Sequence, residues 1–446
     1  MHIKKMDVDF YMKNYHNLIL ILYRYLILYQ RTIYKMLMLK FIKKFIFPII
    51  CILCINPMSA DNNSIEKNIG FRFNSANTLG KLDKTVIQNK SSLITSLKSY
   101  TDINEANINL SLVNSNKILL DNTYFQKSYR NSVIGFGLID RNWSFSPKSS
   151  LILSPNAPPF KSIYLKFDID NIAKDRWFSS LGATSLEIIN GFLEGNENPN
   201  GSMLFGMRAT INPSEKFHIE AMRISQWGGY GYSNDPSVIL KTLFGDTNNG
   251  QNSNINQIAG LGFSFIPAKT SLPIRIYAQV IGEDEAGNLP SCLMHLAGSE
   301  WQGYLFGQES NIGIEFVDTR VGHTKHGFCG PNTAYNNTQY KYSNDGIVMG
   351  VPIDTEGKSI ELFGNFKINS LLNTSFSSKK VLLNARNWNS HRLSDKSQNG
   401  WLHSASVSWA KSNFTISGNL NYQGFSMEKV NSYKGIGVGI NSNIKF

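Results

Sequence analysis

Charged residues are scarce, 17% of the 446-residue chain, where about a quarter is usual for a soluble domain. Long apolar runs are missing too. The runs at 18–29 (LILILYRYLILY) and 45–55 (FIFPIICILCI) fall short of the ~20 residues that a spanning helix needs. Arg24 interrupts the first and Pro48 the second. With a mean hydropathy of −0.21, a multi-helix membrane protein is excluded. Disorder is excluded as well, because 42% of the residues are hydrophobic. Convincing helical periodicity is absent beyond residue 130. There is no G-x-S-x-G elbow, no phosphate-binding glycine loop and no CxxC pair beyond the leader. His323 and His326 lack the companions that a metal site requires, so no metal or cofactor is expected.

The N-terminal 60 residues differ from the rest. Lys40, Lys43 and Lys44 precede the second apolar run, which ends at Pro57-Met58-Ser59-Ala60. A basic stretch, a short apolar stretch and a small residue at the cut site make a secretory signal peptide. Residues 1–60 are therefore read as a leader, with the true start near Met36 or Met38. An inner-membrane anchor is the rival reading. Cys51 and Cys54 follow Ile50 and Leu53, bulky residues where a lipoprotein cut site wants a small one. The leader holds nine of the basic residues and two acids, which is +7 of the formal +12. The remainder is only +5. A pI near 9.3 suggests nucleic acid, but no recognition motif supports it and export removes the opportunity.

What the exported chain does contain is alternation. Met203, Phe205, Met207, Ala209 and Ile211 share one face, with Arg208 and Thr210 on the other. The same pattern recurs at 258–266, 274–280, 360–368, 405–409 and 414–422. The strands run ~9–11 residues, the span of a tilted strand in a bilayer. One face is apolar and the other carries Arg, Lys, Glu and Asn, as lipid-out, polar-in strands require. The chain closes on Ile436, Val438, Ile440, Ile444 and Phe446, an alternating strand with a terminal aromatic like those that barrel-insertion machinery recognises. The fold expected is an all-β, transmembrane outer-membrane barrel of roughly 16–18 antiparallel strands. About eleven lie from 203 onward. Short polar connections at 212–216, 267–271, 308–310 and 411–413 are placed on the periplasmic side. Long ones at 228–256, 283–298, 319–345, 387–400 and 424–434 are placed outside, and 346–357 could hide a further strand pair. Residues 61–100 lack clear alternation, so 61–105 is read as an N-terminal segment and candidate short plug, with the barrel over 106–446.

Several runs resemble the capsule assembly protein Wzi family. They are Met207-Arg208-Ala209-Thr210, Ser225-Gln226-Trp227-Gly228-Gly229, and Gly282-Glu283-Asp284-Glu285-Ala286-Gly287-Asn288-Leu289-Pro290-Ser291. Asp140-Arg141-Asn142-Trp143 and Leu151-Ile152-Leu153-Ser154-Pro155-Asn156-Ala157-Pro158 look like that family's early strands. The resemblance implies an 18-stranded outer-membrane barrel with a small helical plug, acting as a lectin that holds capsular polysaccharide on the Gram-negative cell surface. The N-terminal segment here is shorter than in the family.

The candidate polysaccharide contacts are Trp143, Gln226, Trp227, Glu283, Asp284, Glu285, Tyr335 and Tyr340. Sugars present C–H patches to aromatic rings, but Trp143 and Trp227 also suit an interfacial girdle. Glu283 and Glu285, about 7 Å apart if extended, could pair with lumen cations, touch a ligand or calcium, or act as a glycosidase pair. Partners expected are capsular or other surface polysaccharide, outer-membrane lipid and the insertion machinery through Phe446, with no nucleic acid. A non-enzymatic lectin is the first reading. A sugar-selective or general porin is the alternative, and a surface enzyme using Ser with His391 or His403 is the third. Cys292 and Cys329 are the only cysteines beyond the leader, both assigned to outer loops in an oxidising compartment, and should form a disulfide. Denatured, unreduced mature protein should thus show no reactive thiol in a thiol assay; two per chain would refute the pairing.

Overall fold

A strand in lipid cannot hand its peptide groups to water, so a spanning sheet has to close on itself. The computed structural model describes residues 64–74, 91–113, 117–169, 182–239, 255–267, 273–286, 289–305, 307–321 and 329–446. The leader, with its expected cut and start sites, lies outside the described residues. No helix among the described residues is long and apolar enough to cross a membrane.

The strands are β1 (Ser64–Asn74), β2 (Ser91–Tyr100), β3 (Asn104–Val113), β4 (Lys117–Leu119), β5 (Tyr124–Tyr129), β6 (Ser132–Leu138) and β7 (Lys161–Ile169). They continue with β8 (Ala183–Phe192), β9 (Met203–Ser214), β10 (Phe217–Trp227), β11 (Asn256–Phe265), β12 (Ile274–Ala286), β13 (Leu289–Leu305) and β14 (Gln308–Asp318). Then come β15 (Ser343–Asn344), β16 (Ile347–Val348), β17 (Lys358–Lys367), β18 (Leu372–Leu383), β19 (Gln398–Lys411), β20 (Phe414–Gln423) and β21 (Gly435–Lys445). All except β15 and β16 form one sheet of sequential antiparallel neighbours. Since β4 and β5 both pair with β3, they are two pieces of one wall strand, and the wall has 18 strands. Closure comes from β21 returning onto β1, with Ile69 opposite Ile444 and Phe71 opposite Ser442. The amide of Phe446 donates to the Lys67 carbonyl at 2.8 Å, so the last residue is part of the seam.

Side chains sort by face. Ile69, Phe71 and Phe73 on β1, Ile312 and Ile314 on β14, Ile360 and Leu362 on β17, and Ile436, Val438 and Ile440 on β21 all stand exposed on the outer wall. On β19, Trp401 and Trp409 are eight residues apart and mark the two edges of this apolar belt, roughly 26 Å along the strand. Trp409 packs edge-on against Phe414 at 6.2 Å. The inner wall carries ion pairs: Lys98–Glu105, Arg208–Glu220, Arg275–Glu300 and Lys379–Glu361 at 2.6–2.8 Å.

Four sequence expectations change. The described residues of 61–105 belong to the wall: β1 and β2 pair along their length, and β3 begins at Asn104, so these residues form strands where an N-terminal plug and a barrel start at 106 were expected. Alternation was obscured there because Lys67, Thr95 and Ser99 occupy outward positions. The expected long outer loop at 283–298 is mostly strand, with β12 running to Ala286 and β13 from Leu289. In 217–227 the apolar phase shifts midway, Phe217, Ile219 and Ala221 giving way to Met222 and Ile224. By sequence that pattern suggests a bulge or a departure from the membrane, but no bulge lies at that place. The register is regular from Ile219 to Trp227, and the irregularity lies between Phe217 and Ile219. Met222 and Ile224 face inward onto buried protein, while Arg223 on the outer wall donates to Gln257 Oε1 at 2.8 Å. Finally, 346–357 adds no wall strand, only the two-residue pair β15–β16.

The lumen is filled from outside. Residues 139–160, between β6 and β7, contain the two runs that resembled early strands, yet they form no strand. LILSPNAP is apolar without alternation because it is buried on every side: Leu151, Ile152 and Leu153 are at most 3% exposed. They share one apolar cluster with Ile189, Leu204, Met222, Ile224, Ile281, Met294 and Leu402 from the wall. The peptide groups of this loop are satisfied by inward side chains. Gln279 on β12 accepts from Leu151 N–H at 2.7 Å and donates to the Trp143 carbonyl at 2.6 Å. Arg275 donates to the Phe145 carbonyl at 2.7 Å, and Ser146 donates to Glu315. Replacing Gln279 by Leu strips two buried backbone groups of partners, at about 1–3 kcal/mol each. Hydrogen exchange of residues 143–153 should accelerate in Gln279→Leu while exchange of β19–β21 stays unchanged; unchanged exchange in the loop would count against its anchoring role.

Candidate functional site

Above the plug sits a cap made by the connections at the outer end. The longest described piece joins β14 to β17, across residues 319–357, with β15–β16 inside it. Hydroxyls and amides of this segment reach down to plug carbonyls. Tyr335 Oη donates to Leu151 O at 2.7 Å and Tyr342 Oη to Ile152 O at 2.6 Å. Asn344 Nδ2 donates to Pro158 O at 2.9 Å. In the opposite direction, Asn156 Nδ2 donates to Val348 O at 2.8 Å. The Tyr335 and Tyr342 rings stack at 5.7 Å. Burial raises both phenols well above the ordinary 10, and the nearby Glu283 carboxylate pushes the same way.

The predicted contacts are placed with different outcomes. Trp143 is 1% exposed, inside the plug, and its indole N–H donates to Glu187 Oε2 at 3.2 Å. Gln226 is fully buried; it donates to Lys341 O at 2.8 Å and accepts from Asn256 at 2.9 Å. Trp227 is buried on the same strand end. Tyr340 donates to Gly228 O at 2.8 Å and packs against Tyr232 at 5.4 Å. Glu283 is 7% exposed beneath the cap. The backbone of Asp284 lies opposite Ser291 and that of Glu285 opposite Pro290; their side chains lie outside the described residues, as do His323 and His326. Trp143, Gln226, Trp227, Glu283, Tyr335 and Tyr340 are all buried, and Trp143, Gln226, Tyr335 and Tyr340 hydrogen-bond to neighbouring wall or loop segments. Cys292 is joined to Cys329, Cα atoms 5.3 Å apart, stitching β13 to the cap.

The surface above is different. Residues 228–232 (GGYGY) leave β10 in a tight bend with Gly228, Gly229 and Gly231 at positive φ, where a side chain would be strained. The bend thrusts Tyr230 into solvent at 84% exposure. Its amide donates to Asn200 O at 2.9 Å, and Asn234 Oδ1 accepts from Gly229 N–H at 2.8 Å. Asn200 and Asn234, which make these contacts, are themselves exposed. An exposed ring with two asparagines beside it can stack on one sugar face while the amides hydrogen-bond hydroxyls. Sequence reasoning stopped at Gly229 and missed Tyr230; glycines alternating with tyrosines just past a strand end were the signal.

His403 Nδ1 lies 2.9 Å from Ser378 Oγ on the outer wall. Its ring is stacked between Trp401 and Tyr422 at 5.6 and 5.7 Å, and among the described residues no carboxylate or amide bonds its second nitrogen. His391 is buried in the cap, far from a hydrolytic arrangement. No cluster of metal-ligating residues occurs among the described residues.

With this geometry in view, the comparisons decide the family. The family model described as capsule assembly protein Wzi matches residues 61–431. The chain belongs to the capsule assembly protein Wzi family. The match spans β1 and β2 as well as the outer loops, so the wall-forming N-terminal strands lie within the matched residues. A curated Klebsiella pneumoniae relative, an uncharacterised 55.8 kDa protein in the cps region, is 27% identical over 211 residues, 47% of this chain and 42% of the relative. The chain therefore aligns with less than half of that relative's length. Among solved structures, the Escherichia coli outer-membrane protein Wzi, described as a carbohydrate-binding β-barrel involved in group 1 capsule assembly, matches with a TM-score of 0.68. It is 19% identical, covering 86% of this chain and 84% of that one. Acinetobacter baumannii OccAB3 matches with a TM-score of 0.49 at 8% identity, over 87% and 100% of the two chains. This Wzi-family chain is an outer-membrane β-barrel.

One cap residue, His391, is placed to couple the cap to pH. Leu393 N–H donates to His391 Nδ1 at 3.2 Å, so that nitrogen carries no proton, and Nε2 faces the Thr355 carbonyl at 3.1 Å. Protonation would break the first bond. Burial holds the imidazole below its ordinary 6.5, against the opposing pull of Asp354. The unfolded segment takes up a proton near 6.5 and the folded one resists, so stability is complete above 6.5 and declines as pH falls below it. Protection of 384–397 against hydrogen exchange, corrected for the intrinsic rate at each pH, should fall between pH 7.5 and 5, and His391→Gln should remove that pH step; an unchanged step in the variant would refute the assignment.

Proposed function

We propose that the protein binds capsular or other surface polysaccharide at its outer face and helps attach it to the cell, without covalent chemistry. The observation that carries this reading is a lumen packed by protein beneath an exposed aromatic and amide surface. A plug held by Gln279, Arg275, Tyr335 and Tyr342 leaves the outer end suited to holding a polymer rather than passing one. Family membership and the described carbohydrate binding of the Escherichia coli protein support the same reading. Tyr230 is the foremost contact, with Asn200 and Asn234 beside it. Each contact is weak, and a repeating polymer that engages many barrels converts weak contacts into firm retention. Trp143, Gln226, Trp227, Glu283, Tyr335 and Tyr340 act indirectly, by shaping the cap. Insertion through the C-terminal strand ending at Phe446 belongs to the same proposal.

Tyr230→Ala removes one stacked ring, on the order of 1 kcal/mol, or roughly fivefold in affinity per site. Co-sedimentation of purified capsular polysaccharide with barrel-bearing vesicles measures it. Binding unchanged in Tyr230→Ala would reject that residue as a contact. Absence of binding by the parent, together with large steady single-channel currents, would replace the lectin reading with a porin.

A further inference from the structure

The outer wall should be apolar, yet one sector near its outer edge is cationic. Lys358 on β17 and Lys380 on β18 are diagonal neighbours, since Lys380 lies opposite Ile360 and Lys358 opposite Leu382. Both point the same way as the lipid-facing Ile360 and Leu362. The Lys380 ammonium lies over the Trp401 ring at 5.3 Å, and that of Lys358 over Phe316 at 5.2 Å. Trp401 is the residue directly opposite Lys380 and marks the outer edge of the belt. Asp318 stands opposite Lys358, but both its oxygens are taken by Arg320, at 2.9 and 2.6 Å. Three cations and one committed carboxylate leave the sector with an excess of two positive charges. One step toward the membrane centre, Ser378, His403 and Tyr422 place hydroxyl and imidazole groups on the same wall.

A lysine on a lipid-facing strand is costly at the membrane centre and nearly free at the interface, where its head meets headgroups. Here each ammonium lies over an aromatic ring near the outer edge of the belt, which holds it at headgroup level. We propose that this sector, between β14 and β19, binds a phosphorylated glycolipid of the outer leaflet, with Lys358 and Lys380 on phosphate and Ser378, His403 and Tyr422 on the sugar hydroxyls below. The ligand is lipid held laterally against the wall. The site is separate from the capped outer face and independent of whether that face binds polysaccharide.

The test is native mass spectrometry of the full chain, purified folded from outer membranes in detergent and titrated with bisphosphorylated lipid A or the same lipid with its phosphates removed. The parent should bind the phosphorylated form about tenfold or more tightly. Lys358→Gln/Lys380→Gln should abolish that preference, Lys358→Arg/Lys380→Arg should restore it, and Lys127→Gln, at the other edge of the wall, should leave it intact. Inorganic phosphate at millimolar concentration should not displace the lipid. Heat-modifiable gel mobility reports that each variant is folded; if the double Gln variant is not, Lys380→Gln alone is compared in the same way. Equal binding of both lipid forms by the parent, retention of the preference without the lysines, or displacement by inorganic phosphate would each overturn the proposal.

Discussion

The outer end of this barrel depends on a stretch of backbone, residues 143–156, carried into a lumen with its peptide groups satisfied. A loop inside a barrel is normally unfavourable, because each buried carbonyl or amide left alone costs about 1–3 kcal/mol. Here the wall supplies Gln279 and Arg275 from one side, and the cap supplies Tyr335 and Tyr342 from the other. The apolar side chains between those bonds then complete a core that resembles a globular interior placed in the upper half of a membrane barrel. Plug and cap are thereby conditional on each other: the cap tyrosines need the plug carbonyls, and the plug carbonyls need the tyrosines.

That coupling divides the molecule by height. Toward the periplasmic end the inner wall is polar and its charges pair across neighbouring strands, as with Lys367 and Glu309. Toward the outer end, inward positions turn apolar, as at Met222, Ile224 and Leu402, because they meet the plug instead of water. The surface exposed to the outside carries the features that suit a polymer, Tyr230 above all. The residues whose chemistry looked most like sugar recognition, Trp143, Gln226, Trp227, Tyr335 and Tyr340, are buried. A buried tryptophan or tyrosine with a satisfied polar atom is a packing element, whatever its resemblance to a lectin contact.

How much was legible follows the reach of each signal. Alternation made the strands from 203 onward readable, because lipid on one face forces an apolar residue at every second position regardless of distant contacts. It failed at β1 and β2, where Lys67, Thr95 and Ser99 break the outward row, and at 217–227, where two apolar faces coexist. The plug loop was misread because its quoted runs matched a family pattern but contain no period; only contacts more than a hundred residues away, such as Gln279 with Trp143, explain their composition. Cys292 and Cys329 could be paired by elimination, since the sequence holds no other cysteine after residue 60.

The sequence by itself determined an exported, strand-built chain with one face for lipid and a terminal strand ready to close. Those properties are local: they follow from charge, run length and a two-residue period. Tertiary structure alone decided which strand meets β21, what fills the lumen and which aromatic side chains reach solvent. Each of these depends on hydrogen bonds and packing between segments far apart in the chain. Residue type cannot distinguish the buried Tyr340 from the exposed Tyr230; the burial is settled by whether another part of the chain arrives to cover the ring.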